Sequence, residues 1–355
     1  MRFPEFTGEW NFEPLDTIAP NITSGKSKPA VGQYDLYGST GIIGKTSTAD
    51  YSGDMLLVAR VGANAGTLQL VNGICGITDN TLIIKPRKLS SRYLHFYLQH
   101  YNLNRLIFGS GQPLITAGML KKVHIPFGKP LEQYKIEILL NLIAERITAQ
   151  NKIIEKLETL IKGIVDLSYD NSVTTKKLGN VIAQISQRNK SGKEMVVLSV
   201  NNKQGFIEQS EQFEERIIAS DDTSNYKMVC INDFAYNPAR INVGSIARLK
   251  DKECGIVSPM YICFRTLGNM LPEYLELFFK TKRFALDVDK RLEGSVRLCL
   301  SYEGLCEIAI PIIAIEKQKT LVEKIASLYS KLDIEKKFLR NYKMQKQYLL
   351  SQMFI

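Results

Sequence analysis

The side chains that best fit a chemical task in this sequence are arginines, lysines, asparagines, glutamines and hydroxyl residues in short, glycine-rich polar loops. The candidates in the first half are Lys26, Lys28, Tyr37, Ser39, Thr40, Lys45, Arg60, Asn64 and Gln112, and in the second half Arg188, Lys190, Lys203, Asn237, Arg240, Asn242 and Arg297. Arg suits the edge of guanine, and Asn or Gln the edge of adenine. Such loops are also common turns, so each is a weak signal alone. Together they predict a DNA-contacting surface, with base and phosphate contacts not distinguished.

Sequence patterns that carry catalysis are missing. The nearest approach to the Asn/Asp-Pro-Pro-aromatic tetrapeptide of amino-group methyltransferases, Asn237-Pro238-Ala239-Arg240, lacks the second proline and the aromatic residue. There is no nucleotide-binding loop of the form G-x-x-x-x-G-K-[ST] and no nucleophile elbow. The six cysteines form no C-x-x-C pair and there are three histidines. We therefore expect a binding protein with no catalytic residue, cofactor or metal, and free thiols rather than a zinc site or disulfides.

The positive charge is unevenly distributed. The net charge is +10, of which residues 1–130 and residues 316–355 each carry +5, while residues 166–315 are neutral overall. A basic protein suits a polyanionic partner. Any nucleic-acid surface in the second half must therefore be a local patch. The net charge of the whole chain is also explained by solubility alone.

The elements that hold these loops follow a plan that occurs twice. Gly109-Ser110, Ile125-Pro126 and Gln133 return 185 positions later as Gly294-Ser295, Ile310-Pro311 and Gln318, without a gap. A repeat this long indicates two domain-plus-helix units in tandem rather than a solenoid.

Each copy ends in a long amphipathic helix. Apolar residues at a spacing of three or four run from Leu131 to about Val165 and again from about Glu316 onward. Pro126 and Pro130 precede the first helix and are expected to block its upstream extension. Each helix of some 35 residues would be about 50 Å long, which suits a spacer. Since an apolar stripe must be covered, we expect the two helices to pair as an antiparallel coiled coil.

The middle of each predicted helix turns polar. Arg146 and Gln150 in the first copy are equivalent to Lys331 and Glu335 in the second. In an antiparallel pair Arg146 would meet Glu335, or Gln150 would meet Lys331, and so fix the register. An equally good interpretation is that these side chains face water at the edge of the seam.

The remaining segments predict an α+β fold class with two mixed α/β domains. Apolar runs that suit strands include 55–61, 68–71, 81–84, 195–200, 228–231 and 256–264, and helical spacing occurs at 90–107 and 272–292. The predicted division is a first domain (1–130), a spacer helix (131–168), a second domain (169–315) and a second spacer helix (316–355). The second domain is 22 residues longer between equivalent points, which suggests one task on two different targets.

The chain resembles the specificity subunit of a type I restriction-modification enzyme. The resemblance is carried by five features: the frame Arg2 to Trp10, the run from Gly53-Asp54 through Leu57 to Gly62, Gly109 to Pro113, Ile125-Pro126 with Glu132-Gln133 and the long helix, and the repetition of the whole plan. The second copy departs from the frame, with Ser295-Val296-Arg297 where the first has Ser-Gly-Gln.

The resemblance implies a non-catalytic subunit in which each target-recognition domain reads one half of a split double-stranded DNA sequence. It also implies that the helices set the gap and dock two methyltransferase subunits and the restriction (motor and nuclease) subunits. Since the domains differ, we expect an asymmetric target.

Two other functions stay open. The chain could be a protein-interaction scaffold that does not bind DNA, or it could act only in cis with a catalytic chain. No apolar run approaches the length of a membrane span and the start lacks a secretory signal, so we expect a cytoplasmic protein with no membrane partner.

Overall fold

The computed structural model describes residues 3–107, 111–170, 174–190, 195–212, 223–294 and 297–354. Of the residues that carry the sequence patterns, Arg2, Gly109, Ser110, Ser295 and Val296 lie outside these ranges. Two units divide the chain, and the second is inserted in the sequence of the first: residues 1–152 with 336–355, and residues 153–335. The predicted division into four consecutive segments stays a prediction.

Short strands and helices are interspersed along the described chain, and two helices are much longer than the rest. The strands are β1 (Asn11–Pro14), β2 (Thr23–Ser24), β3 (Tyr34–Gly38), β4 (Gly41–Thr46), β5 (Tyr51–Ala59), β6 (Leu68–Ile77), β7 (Thr81–Ile84), β8 (His124–Phe127), β9 (Thr175–Lys177), β10 (Ile182–Ile185), β11 (Val197–Asn201), β12 (Gly205–Glu208), β13 (Lys227–Cys230), β14 (Phe234–Tyr236), β15 (Ile246–Arg248), β16 (Cys254–Val257), β17 (Ile262–Thr266) and β18 (Ala309–Pro311). The α-helices are α1 (Leu15–Ile18), α2 (Ser91–Tyr101), α3 (Ala117–Lys121), α4 (Pro130–Asp170), α5 (Gln209–Gln212), α6 (Pro272–Phe278), α7 (Lys282–Asp289), α8 (Tyr302–Cys306) and α9 (Ile315–Met353). Short 3-10 helices occupy Gly62–Asn64, Leu103–Leu106, Leu178–Asn180 and Ile241–Val243.

A six-stranded sheet forms the centre of the first unit, in the order β2-β7-β5-β6-β3-β4. Alternate residues of β5 point to opposite faces: Leu56 and Val58 join the core that contains α2, whereas Met55 and Leu57 join a second core with Val71. Burial on both faces explains why β5 reads as a continuous apolar run rather than an alternating one.

Two four-stranded sheets form the second unit, in the orders β10-β17-β14-β15 and β12-β11-β16-β13. The predicted single strand over 256–264 is wrong. Pro259, which cannot donate to a strand ladder, lies in a turn closed by the Tyr261 amide donating to the Ser258 carbonyl at 3.1 Å, and separates β16 from β17.

The predicted helix over 272–292 is also interrupted. The Thr281 hydroxyl accepts the amide of Phe284 at 3.1 Å and donates to the carbonyl of Phe278 at 2.7 Å. This hydroxyl caps the start of α7 and satisfies a carbonyl at the end of α6. The apolar spacing that predicted one helix is therefore divided between two.

The cysteine prediction is wrong for one pair. Cys230 and Cys254 are joined by a disulfide, and the other four cysteines, Cys75, Cys263, Cys299 and Cys306, are free thiols as expected. The antiparallel pairing of β13 with β16 places the two bonded residues directly opposite each other. Their separation of 24 residues gave no sequence signal for this contact.

The 185-residue repeat is also a repeat of hydrogen bonds. In the first unit β1 pairs with β8, and the Leu15 amide donates to the Val123 carbonyl at 2.7 Å. In the second, β9 pairs with β18 and the Leu178 amide donates to the Ile308 carbonyl at 2.8 Å. Each globular part therefore closes its ends by the same contacts, just before its long helix.

The buried glutamine at the start of each long helix is another repeated contact. Gln133 Nε2 donates to the Gly128 carbonyl at 2.9 Å, and the equivalent Gln318 Nε2 donates to the Ile313 carbonyl at 2.9 Å. Pro130 is the first residue of α4 and not a residue upstream of it, because the first turn of a helix needs no amide donor at this position.

Antiparallel packing of the two long helices is confirmed within the first unit. Ile136 and Leu140 of α4 share a core with Leu350 and Met353 of α9, while further along α4 Arg146 lies over the ring of Tyr342, at 5.9 Å from its centroid. Residue numbers therefore rise along one helix as they fall along the other. The predicted α+β class with long antiparallel helices is confirmed. None of the described helices is long and apolar enough to span a bilayer.

Candidate DNA interface

Three predicted residues of the first unit come together where β5 ends. The Ile115 amide donates to the Arg60 carbonyl at 2.8 Å, and the Gly62 amide donates to the Pro113 carbonyl at 3.0 Å. These bonds hold Gln112 over Gly62, with its Nε2 at 4.0 Å from the position that a Cβ at residue 62 would take. Gly62 has a φ of 72°, which favours glycine, and Asn64 follows it in the same 3-10 helix. We name Arg60, Asn64 and Gln112 the first loop cluster.

Arg60 is half-buried, and its Nε is buried without a hydrogen-bond partner in the structure. A buried donor without a partner costs free energy unless a ligand or water supplies an acceptor. Gln112 and Asn64 are exposed. The first loop cluster therefore combines two solvent-accessible amide side chains with a guanidinium whose hydrogen bonds are incomplete.

The β3–β4 hairpin carries four more predicted residues, Tyr37, Ser39, Thr40 and Lys45. The Lys45 ammonium forms an exposed ion pair with Asp35 at 2.7 Å, so part of its charge is already compensated. Burial, with the nearby charge of Asp35, raises the pKa of the Tyr37 phenol, which therefore stays a hydrogen-bond donor at neutral pH. Lys26 and Lys28 are exposed on a segment anchored to the sheet through the Ser27 amide, which donates to the Ile77 carbonyl at 2.9 Å.

In the second unit a cavity of about 620 Å³ brings together Asn237, Arg240 and Arg297. Asn237 is buried; its backbone N–H donates to the Ser245 carbonyl at 3.1 Å, and its side-chain Oδ1 accepts the backbone N–H of Ala239 at 3.1 Å. Arg240 and Arg297 are exposed side chains of the same lining. We name Asn237, Arg240 and Arg297 the second loop cluster.

Other lining residues of this cavity were not among the predicted ones. Ser199, Gln209, Tyr226, Ser258 and Tyr261 contribute hydroxyl, amide and aromatic groups. Gln209 Oε1 is buried and has no hydrogen-bond partner. These residues come from separate strands and turns, so only the fold brings them together and no spacing in the sequence signals it.

The remaining predicted residues of the second unit do not join this cluster. Arg188 is exposed and its Nη1 donates to Asn225 Oδ1 at 3.0 Å, while Lys190 lies two residues further on, also exposed. Asn242 is exposed on the 3-10 helix. Lys203 lines a different cavity, of about 530 Å³. That cavity also contains Arg248, which is ion-paired with Glu276 at 3.0 Å.

The four register residues of the long helices differ in exposure. Gln150 is buried, Arg146 and Lys331 are exposed, and Glu335 is half-buried. Tyr342, which lies against Arg146, is seven residues beyond Glu335. The pairings of Arg146 with Glu335 and of Gln150 with Lys331 stay predictions. Within the described residues no cluster of three or more His, Cys, Asp or Glu side chains is arranged to hold a metal ion.

Residues 16–159 match the family model described as the type I restriction modification DNA specificity domain. This segment contains the first loop cluster and runs into α4. The matched segment, which lies within the first half of the chain, is therefore similar to that domain. The resemblance to a type I specificity subunit predicted from the sequence is confirmed.

Relatives of the specificity domain extend the comparison. A segment of 167 residues, 46% of this chain, is 25% identical to the type I restriction enzyme EcoprrI specificity subunit of Escherichia coli, and covers 37% of that protein. The type I restriction-modification S subunit from M. genitalium has the same fold over 100% of this chain and 99% of its own, with a TM-score of 0.63 and 16% identity. A chain from a study of complex assembly and conformational transition of the type I R-M system covers 99% of this chain and 98% of its own, with a TM-score of 0.58 and 14% identity.

Proposed function

We propose that this chain is the DNA-recognition subunit of a type I restriction-modification complex and reads an asymmetric, bipartite target. Each unit reads one half-site through its loop cluster. Double-stranded DNA is the direct ligand, and the catalytic steps belong to partner subunits.

The observation that carries this proposal is one backbone frame that supports two different loop clusters. The frame is repeated as the same strand pairings and the same hydrogen bonds before each long helix. The sheets and loops mounted on it differ, with one six-stranded sheet in the first unit and two four-stranded sheets in the second. A repeated frame with different reading residues suits recognition of two unlike half-sites.

The long helices offer surfaces for the partner subunits. Leu131, Leu142 and Leu160 of α4 are each at least half exposed, and Phe338 and Met344 of α9 are similarly accessible. Apolar side chains of this size on an exposed helix surface favour protein contacts. We propose that two methyltransferase subunits, and restriction subunits where the system has them, bind along these helices.

Genome methylation provides the direct test. The chain is expressed with its methyltransferase partner in a host without other adenine methylation, and methylated adenines are mapped by sequencing. We expect one split motif whose halves differ, and none without the chain. A methylated motif that is unchanged when the chain is deleted would contradict the proposal.

Binding to DNA provides the second test, and it separates recognition from scaffolding. The purified complex should bind duplexes that carry the mapped motif, with an affinity that falls steeply as salt rises, because phosphate contacts release counterions. No binding, or binding that does not respond to salt, would favour a protein-interaction scaffold instead.

A further inference from the structure

Gln112 and Arg297 occupy equivalent positions in the two units. They are 185 residues apart in the ungapped part of the repeat. Three residues after each, the equivalent amide donates to a carbonyl just beyond the end of a strand: Ile115 to Arg60 after β5 at 2.8 Å, and Leu300 to Pro238 after β14 at 3.1 Å.

The helix that follows each loop begins in the same way. The Thr116 hydroxyl accepts the Met119 amide at 3.2 Å, and the equivalent Ser301 hydroxyl accepts the Gly304 amide at 3.0 Å. Equivalent amides and equivalent helix caps therefore fix the backbone on the C-terminal side of both loops, while the side chain presented differs. One unit presents a neutral amide and the other a guanidinium.

The surroundings of the two side chains suit a reading role. Gln112 is exposed and lies over Gly62, which has no side chain to cover its amide. Arg297 is exposed at the lining of the cavity that also contains Asn237 and Arg240. Both side chains are thus accessible and lie beside other groups that can donate or accept hydrogen bonds to a base.

We propose that Gln112 and Arg297 are specificity-determining residues that read equivalent positions of the two half-sites, Gln112 an adenine and Arg297 a guanine. The inference rests on the proposed DNA-recognition function. A glutamine amide donates to and accepts from the N7/N6 edge of adenine, whereas a guanidinium donates twice to the N7/O6 edge of guanine. At guanine, the oxygen of a glutamine amide would face another acceptor, O6, instead of the N6 donor of adenine. At adenine, a guanidinium N–H would face the N6 donor instead of the O6 acceptor of guanine.

The experiment exchanges the two side chains. Motifs are mapped by adenine-methylation sequencing for the wild type, for Gln112→Arg, for Arg297→Gln and for the double variant, each in complex with the methyltransferase. We expect Gln112→Arg to change one adenine of the first half-site to guanine, and Arg297→Gln to change one guanine of the second half-site to adenine. Affinities on duplexes that differ only at those positions should shift by about 10-fold or more, as a bidentate base contact requires.

Matched variants control for charge. Gln33→Arg adds the same charge at an exposed site of the first unit, and Arg92→Gln removes one from the exposed surface of α2. Both should leave the motif unchanged. If the exchanged variants fold, as judged by circular dichroism, but keep the wild-type base preference or weaken all duplexes equally, the two side chains contact phosphate and the inference is overturned. If the wild-type chain itself directs no bipartite motif, the proposed function fails instead.

Discussion

At the scale of single residues, His95 on α2 makes the first unit sensitive to acid. Burial, and then the charges of Lys346 and Arg92, lowers the pKa of His95 to about 4. Below about pH 6.5 the unfolded chain therefore binds a proton at this side chain that the folded chain does not bind. Stability from the neutral imidazole is complete above pH 6.5 and is lost as the pH falls towards 4.

We therefore expect the free energy of unfolding of the first unit to fall by about 1–2 kcal/mol between pH 7 and pH 5 because of His95. The variant His95→Leu should lose less stability over this interval, measured by urea unfolding. Between pH 7.5 and 8.5 neither the folded nor the unfolded chain binds a proton at His95. The free energy of unfolding of the wild type and of His95→Leu should therefore depend on pH in the same way there. If the free energy of unfolding of the two proteins falls equally between pH 7 and pH 5, His95 is not the source of the acid sensitivity.

Gln318 is a second residue whose contribution to stability can be predicted. Its Oε1 accepts the Leu271 amide at 3.0 Å, and its Nε2 donates to the Asn269 carbonyl at 3.0 Å as well as to that of Ile313. Gln318→Leu leaves these three backbone groups without their partner, and should lower the stability of the second unit by about 2–4 kcal/mol. The equivalent Gln133→Leu should cost the first unit less stability, since among the described residues the Gln133 side chain makes one hydrogen bond, to the Gly128 carbonyl.

Chemical denaturation followed by circular dichroism measures both effects. Gln345→Leu, an exposed change on α9, is the control and should alter stability by no more than about 0.5 kcal/mol. A loss for Gln318→Leu no larger than that of the control would show that these hydrogen bonds do not anchor the helix.

At the scale of elements, the end of α9 and the residue that follows it complete the core of the first unit. Phe354 is 3% exposed, and its ring centroid lies 5.4 Å from that of Tyr93 and 5.5 Å from that of Tyr97. Phe354→Ala should therefore lower the stability of this unit by about 3 kcal/mol or more, whereas Phe338→Ala, at an exposed position of α9, should have a much smaller effect. Thermal unfolding of the two variants tests this, and equal losses would contradict it.

The register of the helices can be measured by double-mutant cycles. The guanidinium of Arg146 lies over Tyr342, and such a contact at an exposed site couples by about 0.5–1 kcal/mol. We expect coupling of about that size between Arg146→Met and Tyr342→Leu.

A cycle between Arg146→Glu and Glu335→Arg tests the register predicted from the sequence. Recovery of stability in the double variant would support that pairing, and additive effects would reject it.

Regular patterns explain which elements could be predicted from the sequence. The long helices were predictable because a spacing of three to four residues persists over many turns, and β5 because a buried strand is a short apolar run between polar residues. The break between α6 and α7 could not be predicted, because the Thr281 hydroxyl produces it while the apolar spacing continues on both sides. The Cys230–Cys254 pair depends on strand register, which local sequence does not encode.

At the scale of the whole molecule, the sequence order hides how the chain divides. Each long helix contributes to both units, because the boundaries fall after residue 152 and after residue 335. Consecutive segments were the natural prediction from a tandem repeat. A packing contact such as that of Phe354 with Tyr93 joins residues more than 250 positions apart, and no periodicity predicts it. The candidate loop clusters were partly predictable, since residue type marks Gln112 and Arg297, but the cavity that Arg297 lines arises only from the fold.

The spacing function of the helices gives the last prediction. Removing seven residues, two helical turns, from α4 together with the facing seven from α9 keeps the apolar faces in phase and shortens the pair by about 10 Å. That length corresponds to about three base pairs of DNA at 3.4 Å each. We expect methylation mapping to show both half-sites unchanged and the gap between them about three base pairs shorter, because the reading loops are untouched. An equal deletion of seven residues from α9 alone is the control, since it breaks the antiparallel match and should reduce stability. An unchanged gap in a folded double-deletion variant would show that the helices do not set the spacing.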